Sequence, residues 1–119
     1  MIETGAVRAW HAHVYFGAAS RQAAEALRAG VAERFPAALL GRWHPGPVGP
    51  HPSGMFQIAF ALEAFAGLVP FLALNRDGLT VLVHPDTGRP KDDHLLNALW
   101  MGAVLKLNVE TLPEVSDDH

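Results

Sequence analysis

The sequence predicts an α+β fold in which one sheet carries its helices on a single face. Two patterns alternate along the chain: short runs rich in β-branched and aromatic residues, and longer stretches with apolar residues three or four apart. They occur in the order βαββαβ, and one further helical stretch follows. A length of 119 residues suits a single core, so we expect one domain spanning residues 1–119.

The first half of the chain supplies two strands and one helix. Residues 7–16 predict a strand because they are rich in β-branched and aromatic side chains. Apolar residues at helical spacing predict a helix over 20–35, which Pro36 ends. Residues 39–44 predict a short second strand, and the proline- and glycine-rich stretch 45–54 predicts a loop.

The second half repeats the alternation. Residues 55–62 predict a third strand, and 63–76 predict a helix in which Pro70 requires a kink or a place in the first turns. Residues 79–84 predict the last strand, and 92–107 predict an additional C-terminal helix. The order suggests a ferredoxin-like sandwich with a four-stranded antiparallel or mixed sheet.

Composition excludes several classes of protein. A net charge of -3 without a basic stripe argues against a nucleic-acid partner, and the absence of cysteine excludes disulfides and thiol catalysis. No apolar run is long enough to span a membrane, and the N-terminus lacks a signal-peptide pattern. We therefore expect a cytoplasmic protein. Residues 110–119, which include His119, predict a disordered acidic tail.

Histidine is the residue type that most needs explaining. Imidazole is the commonest protein metal ligand and titrates near neutrality. Six of the seven histidines fall in four short motifs: His11-Ala-His13-Val-Tyr15, Trp43-His44 through His51-Pro, His84-Pro-Asp86, and Asp92-Asp93-His94.

Side-chain alternation places most of the polar strand residues on one face of the sheet. That set is His11, His13, Tyr15, Arg42, His44, Gln57 and His84. If the first strand lies parallel to the third and antiparallel to the fourth, then His11, Gln57 and His84 meet at one end, close to the loop that carries His51. Glu63 shares the parity but lies about 20 Å from Gln57 at strand rise, so we discount it as a ligand.

Each motif alone has an ordinary structural explanation. A His-x-His pair is often exposed or satisfied within a core, and His84-Pro is commonly a turn. Asp92 or Asp93 suits a helix N-cap. The convergence of four separate segments nevertheless favours a metal site, with three histidines preferred and Asp86 or Asp93 possible as a carboxylate ligand.

The motifs together resemble the small DOPA 4,5-dioxygenase family of fungi and bacteria. The resemblance rests on His11-Ala-His13-Val-Tyr-Phe, Gly46-Pro-Val-Gly-Pro-His51-Pro, and His84-Pro-Asp-Thr-Gly88 through Asp93-His94, with Trp100-Met-Gly102 also fitting. It implies extradiol cleavage of a catechol by non-haem iron(II) and dioxygen. With L-DOPA as the substrate, 4,5-cleavage gives seco-DOPA, which cyclises to betalamic acid.

Within this interpretation we assign residue roles as hypotheses. Iron(II), with zinc or nickel as possible substitutes, is expected on His11, His51 and His84. His13 or His44 is expected to move protons, and His94 to support the site from outside the ligand set. For substrate binding we expect Arg42 or Arg89 at a carboxylate, with Gln57 and Tyr15 nearby.

Two other classes of protein remain open. One is a metal-binding or sensor domain without catalysis. The other is a dimeric α+β barrel that binds a ligand or acts as a cofactor-free monooxygenase. An uncovered sheet face bearing Ala59, Ala61 and Leu82 would favour a homodimer.

Overall fold

The computed structural model describes residues 1–116, and an antiparallel sheet forms their centre. The strands of this region are β1 (Ala9–Phe16), β2 (Leu39–Leu40), β3 (Gly54–Phe60), β4 (Thr80–Asp86) and β5 (Leu99–Met101). Their order across the sheet is β2-β3-β1-β4-β5. The helices are α1 (Arg21–Arg34), α2 (Phe65–Asn75) and α3 (Pro90–Leu95).

The predicted α+β class and element order are confirmed, but the C-terminal part differs. The helix predicted over 92–107 is limited to the six residues of α3, and residues 99–101 form a fifth strand. Leu82 of β4 pairs with Trp100 of β5. Without β5, the backbone of β4 would form an open sheet edge, so pairing there satisfies groups that helical periodicity cannot take into account.

The direction of β3 is a second correction. We expect β3 to run parallel to β1, whereas the two are antiparallel. The crossover through α1 leaves β1 and β2 parallel to each other with β3 between them, so β3 opposes both. As a result Gln57 lies opposite His13, and Ala59, rather than Gln57, lies opposite His11.

The main core lies between the sheet and the helices α1 and α2. Alternate residues of the three central strands point into it, as strand periodicity predicts. The buried strand members are Ala12, Val14, Phe16, Phe56, Ile58, Phe60, Val81 and Val83. The helices contribute Ala24, Leu27, Val31, Leu68 and Leu72. The opposite side chains, histidines included, must therefore occupy the second face.

Part of that second face is covered rather than open. Tyr15, Met55 and Leu82 form a smaller apolar cluster with Leu107 of the C-terminal segment. Leu82, which we expect to contribute to an exposed apolar surface, is completely buried. The C-terminal segment thus removes Leu82 from the exposed surface on which we base a homodimer, while Ala59 stays half-buried and Ala61 exposed. The homodimer stays a prediction.

Residues 110–116 also contact the body of the protein, contrary to the disordered tail that we predict. Glu114 forms an ion pair with Lys91 of α3 at 3.0 Å, and the Ser116 N–H donates to the Gly88 carbonyl at 2.7 Å. The remainder of the predicted tail, residues 117–119 with His119, lies outside the described residues. Among the described helices, none has the length and apolar character needed to cross a membrane.

Candidate metal centre

Histidines from four separate segments meet on the second face of the sheet. The cluster comprises His11, His13, His51, His84 and His94, and we call it the imidazole cluster. Its neighbouring ring centroids lie 4.0 to 6.3 Å apart. Two overlapping groups, His11–His13–His84 and His13–His51–His94, each hold their ligand atoms within 4.8 Å of one another. His13 belongs to both groups and is therefore the centre of the cluster.

Strand register positions the first three rings. His11 of β1 lies directly opposite His84 of β4, as we predict. His13 is the next residue of β1 on the same face, and its Nε2 lies 3.0 Å from Nε2 of His84. All three positions are therefore determined by backbone pairing in the centre of the sheet.

The loop between β2 and β3 places His51 in the imidazole cluster. The backbone of Val48 and His51 pairs across a tight turn in which Gly49 has a φ of 54°, a conformation that glycine adopts without strain. A bridge between His44 and Met55 holds the base of the loop to β3. Nδ1 of His51 lies 2.7 Å from the Tyr15 hydroxyl, which fixes the orientation of the ring.

Asp93 fastens α3, and with it His94, to the end of β4. Its buried carboxylate accepts hydrogen bonds from the Thr87 backbone N–H at 2.8 Å, the Thr87 hydroxyl at 2.7 Å and the Asn97 amide at 3.1 Å. We predict Asp92 or Asp93 as an N-cap, but the cap is Arg89, and both acids lie within the first turn. The anchoring role of Asp93 depends on Thr87, six residues earlier, a partnership that local spacing rules do not predict.

Hydrogen bonds to backbone carbonyls determine which nitrogens of two rings are available. Nδ1 of His84 lies 2.8 Å from the Pro85 carbonyl, and Nδ1 of His94 lies 2.7 Å from the Pro90 carbonyl. A carbonyl oxygen only accepts, so each Nδ1 donates and each Nε2 keeps its lone pair. Without a metal, His13 therefore donates from Nε2 to His84, which leaves the buried Nδ1 of His13 without a partner among the described residues. Ligation of a metal by both Nε2 atoms requires the other tautomer of His13, with its proton on Nδ1.

Burial keeps the imidazoles neutral. Together with the neighbouring His94, it lowers the pKa of His51 to about 4 and that of His84 to about 2. Burial, followed by repulsion from His51 and His84, holds the pKa of His13 well below its usual value. The pKa values of His11 and His94 are also lowered, chiefly by burial. At neutral pH the cluster thus presents unprotonated nitrogens, the form that binds metals.

The donor set fits a divalent metal ion. Two nitrogens at right angles and about 2.1 Å from one ion lie about 3.0 Å apart, which matches the separation between His13 and His84. The unpartnered Nδ1 of His13 shows that protein hydrogen bonds alone do not satisfy the cluster. Imidazole donors suit zinc, copper, iron and nickel, so the ligands leave the identity of the metal open.

A small cavity opens beside the cluster. It has a volume of about 90 Å³ and is lined by His11, His84, Pro85, Asp86, Pro90, Asp93 and His94. Asp86 is a buried residue of β4, and its carboxylate pairs with Arg8 at 2.8 Å. Of the predicted substrate residues, Arg42 is exposed, Gln57 is half-buried opposite His13, and Arg89 lines a different cavity.

Comparison with known proteins shows the family of this chain. The sequence pattern of the Dopa 4,5-dioxygenase family matches residues 10–111, a range that includes every member of the imidazole cluster. The chain belongs to the Dopa 4,5-dioxygenase family. A crystal structure of a candidate dioxygenase from Nostoc punctiforme is 50% identical and superposes with a TM-score of 0.91, covering 93% of this chain and 96% of that one.

Two fungal relatives of this dioxygenase family are longer than the chain. A DOPA 4,5-dioxygenase from Amanita muscaria is 38% identical over 94% of this chain and 53% of its own length. An uncharacterised 21.2 kDa protein from Botryotinia fuckeliana is 32% identical over 91% of this chain and 65% of its own length. The chain thus spans about half to two thirds of these relatives.

Proposed function

We propose that this member of the Dopa 4,5-dioxygenase family is a non-haem iron(II) dioxygenase that opens the ring of a catechol by extradiol cleavage. L-DOPA is the proposed substrate, with cleavage between carbons 4 and 5 giving seco-DOPA and then betalamic acid. The observation that carries the proposal is a buried cluster of neutral imidazoles centred on His13. Family membership and the Amanita muscaria relative support the choice of reaction.

The geometry favours a different ligand set from the one that the sequence suggests. The predicted trio His11, His51 and His84 is not among the groups that lie within 4.8 Å in the described residues. The trio His11, His13 and His84 is such a group, and its members lie on paired central strands. We therefore assign the iron to these three side chains, because rigid strands hold ligands precisely.

When bound at this trio, iron(II) supplies a Lewis-acid and redox centre for a catechol and dioxygen. Histidine side chains of the protein then accept and donate protons. Nε2 of His94 faces the cluster as an acceptor because its Nδ1 donates to Pro90, so His94 can take a catechol proton. His51, hydrogen-bonded to Tyr15, is the second candidate to hold a proton near the ring.

The surroundings determine how the protons leave and how water is excluded. Burial raises the pKa of the Tyr15 hydroxyl, so Tyr15 stays neutral and hydrogen-bonds to His51 without adding a charge. His44 is half-buried in the same loop and close enough to His51 to lower its pKa, so we assign it the transfer of protons between His51 and solvent. Gln57, opposite His13, remains a proposed substrate contact.

The proposal is tested by anaerobic reconstitution with iron(II), followed by addition of oxygen and a panel of catechols that includes L-DOPA. We expect a yellow semialdehyde to appear together with oxygen consumption, and zinc-loaded protein serves as the redox-inactive control. Tight metal binding without oxygen consumption for any catechol would contradict the enzyme assignment and favour a metal-binding domain.

A further inference from the structure

A second, larger cavity lies on the helix side of the sheet. It has a volume of about 480 Å³, and its walls include Trp10, Pro85 and Leu99. Trp10 lies opposite Pro85, whereas the next residue of β1, His11, lies opposite His84. Because successive side chains point to opposite faces, the sheet separates this cavity from the imidazole cluster. The proposed dioxygenase reaction does not use it.

Three charged residues line this cavity, Glu3, Arg89 and Asp92, and the last two lie together at the start of α3. Arg89 is the N-cap of α3 and Asp92 lies in its first turn, and both line the cavity. Arg89 is exposed and Asp92 is half-buried. Among the described residues, the structure gives neither side chain a hydrogen bond or an ion pair. Charged groups that line one cavity and do not pair with each other are available to a ligand that carries both charges.

We propose that this cavity binds a free amino acid with a flat apolar side chain, at a site distinct from the metal centre. Arg89 receives the α-carboxylate and Asp92 receives the α-ammonium group. The ring of the ligand packs against Trp10 and Pro85, where aromatic and proline surfaces suit a flat apolar group. The volume falls within the usual range of about 300–1,000 Å³ for small-molecule sites.

The cavity is also connected to the imidazole cluster by hydrogen bonds. Thr87 and Asn97 line it, and both donate to the buried carboxylate of Asp93. Asp93 precedes His94 and lines the small cavity on the other face. A ligand in the larger cavity therefore contacts the residues that position His94.

Calorimetric titration of the metal-free protein with L-phenylalanine and 3-phenylpropionate tests the site. L-Phenylalanine has both charges and a ring but no catechol hydroxyls, while 3-phenylpropionate lacks the ammonium group. We expect Arg89→Gln to weaken both ligands about tenfold or more, and Asp92→Asn to weaken L-phenylalanine alone, removing its preference. Lys91→Gln, on the same helix but outside the cavity lining, is the matched control and should bind both ligands normally.

Absence of L-phenylalanine binding, or binding that survives Arg89→Gln, overturns the proposal. So does binding that is lost in His84→Ala while the fold is retained, since the ligand would then occupy the imidazole cluster. A measurement on the unaltered chain guards against misfolded variants: L-phenylalanine should shift the amide NMR signals of Thr87 and Asn97 more than that of His11. The reverse order contradicts the site. Neither iron nor oxygen enters these tests, so they stand independently of the dioxygenase assignment.

Discussion

His13 acquires its importance from its position between two strands and a loop. The sequence makes it one of two alternating histidines on β1 and gives no reason to rank it above His11. In the folded chain, His13 is 2% exposed and its ring neighbours those of all four other cluster members. The proton-carrier role predicted for it is therefore replaced, in our proposal, by metal ligation.

Alanine substitutions distinguish the two trios that share His13. His13→Ala and His84→Ala should abolish stoichiometric iron(II) binding, because each removes one of the proposed ligands. His51→Ala should still bind iron but lose turnover, because we assign His51 a role in proton transfer and not in metal binding. Metal analysis and oxygen uptake on each folded variant provide the measurements. Iron lost from His51→Ala but retained in His11→Ala would reverse the assignment in favour of the loop histidine.

Tyr15→Phe tests the hydrogen bond that orients His51. Removing the hydroxyl leaves Nδ1 of His51 buried without its partner at 2.7 Å. We expect a loss of about 1–3 kcal/mol in the free energy of unfolding, measured by urea denaturation. We also expect a lower kcat with little change in iron stoichiometry. An unchanged kcat would show that Tyr15 has only a structural role.

Among the secondary-structure elements, the short helix α3 is stable because side-chain hydrogen bonds attach it to the end of β4. Six residues are too few for a helix to persist alone in water. The three hydrogen bonds to the Asp93 carboxylate hold it against the end of β4, whereas the exposed Lys91–Glu114 ion pair adds little.

Asp93→Asn should loosen this attachment. An amide offers one acceptor oxygen where the carboxylate offers two, so at least one of the two bonds from Thr87 is lost or weakened. The expected destabilisation is about 1–3 kcal/mol, with faster amide exchange at His94. Asp92→Asn, with a less buried carboxylate in the same turn, is the control for charge and should leave stability almost unchanged. Equal effects of the two variants would contradict the anchoring role of Asp93.

The loop that carries His51 depends on a close approach at Gly54. A Cβ at this position would lie 3.0 Å from the carbonyl oxygens of His44 and Pro45, and both are backbone atoms with little room to move. Gly54→Ala should therefore displace the loop, lower stability by about 1–3 kcal/mol and reduce turnover through His51. Gly46→Ala, where a Cβ meets nothing within 4 Å, is the matched control. Crystallography or NMR of Gly54→Ala with an unmoved loop would refute this explanation.

For the molecule as a whole, burying four neutral imidazoles and half-burying a fifth makes stability depend on pH. The pKa values in the folded state are below the unfolded value of 6.5, with His51 at about 4 and His84 at about 2. The unfolded chain therefore binds more protons than the folded chain below about pH 6.5, and the stabilisation present above that pH is lost progressively on acidification.

Urea midpoints of the metal-free protein between about pH 7.5 and pH 5 measure this dependence. We expect the midpoint to fall as the pH is lowered, and His84→Asn to show a shallower slope because one buried titrating group is absent. A midpoint that is independent of pH over this interval would mean that the imidazoles are not buried in solution.

The sequence by itself determined the α+β class, the strand–helix order as far as β4, and the faces of β1 and β4 that carry histidine. Side-chain alternation is a local property of an extended backbone, so the pairing of His11 with His84 and the burial of Val14 followed from strand boundaries and order. The family resemblance was equally readable, because its motifs are contiguous in the chain.

Only the tertiary structure decided the direction of β3, the conformation of the C-terminal segment and the position of His13 at the centre of the imidazole cluster. Each depends on contacts between residues distant in sequence. Because β3 runs antiparallel to β1, Gln57 lies opposite His13 and not opposite His11. Residues 99–101 form a strand because they pair with the backbone groups at the edge of β4. Hydrogen bonds such as that from Thr87 to Asp93 form only when a turn brings the partners together, so local sequence rules could not rank the members of the imidazole cluster.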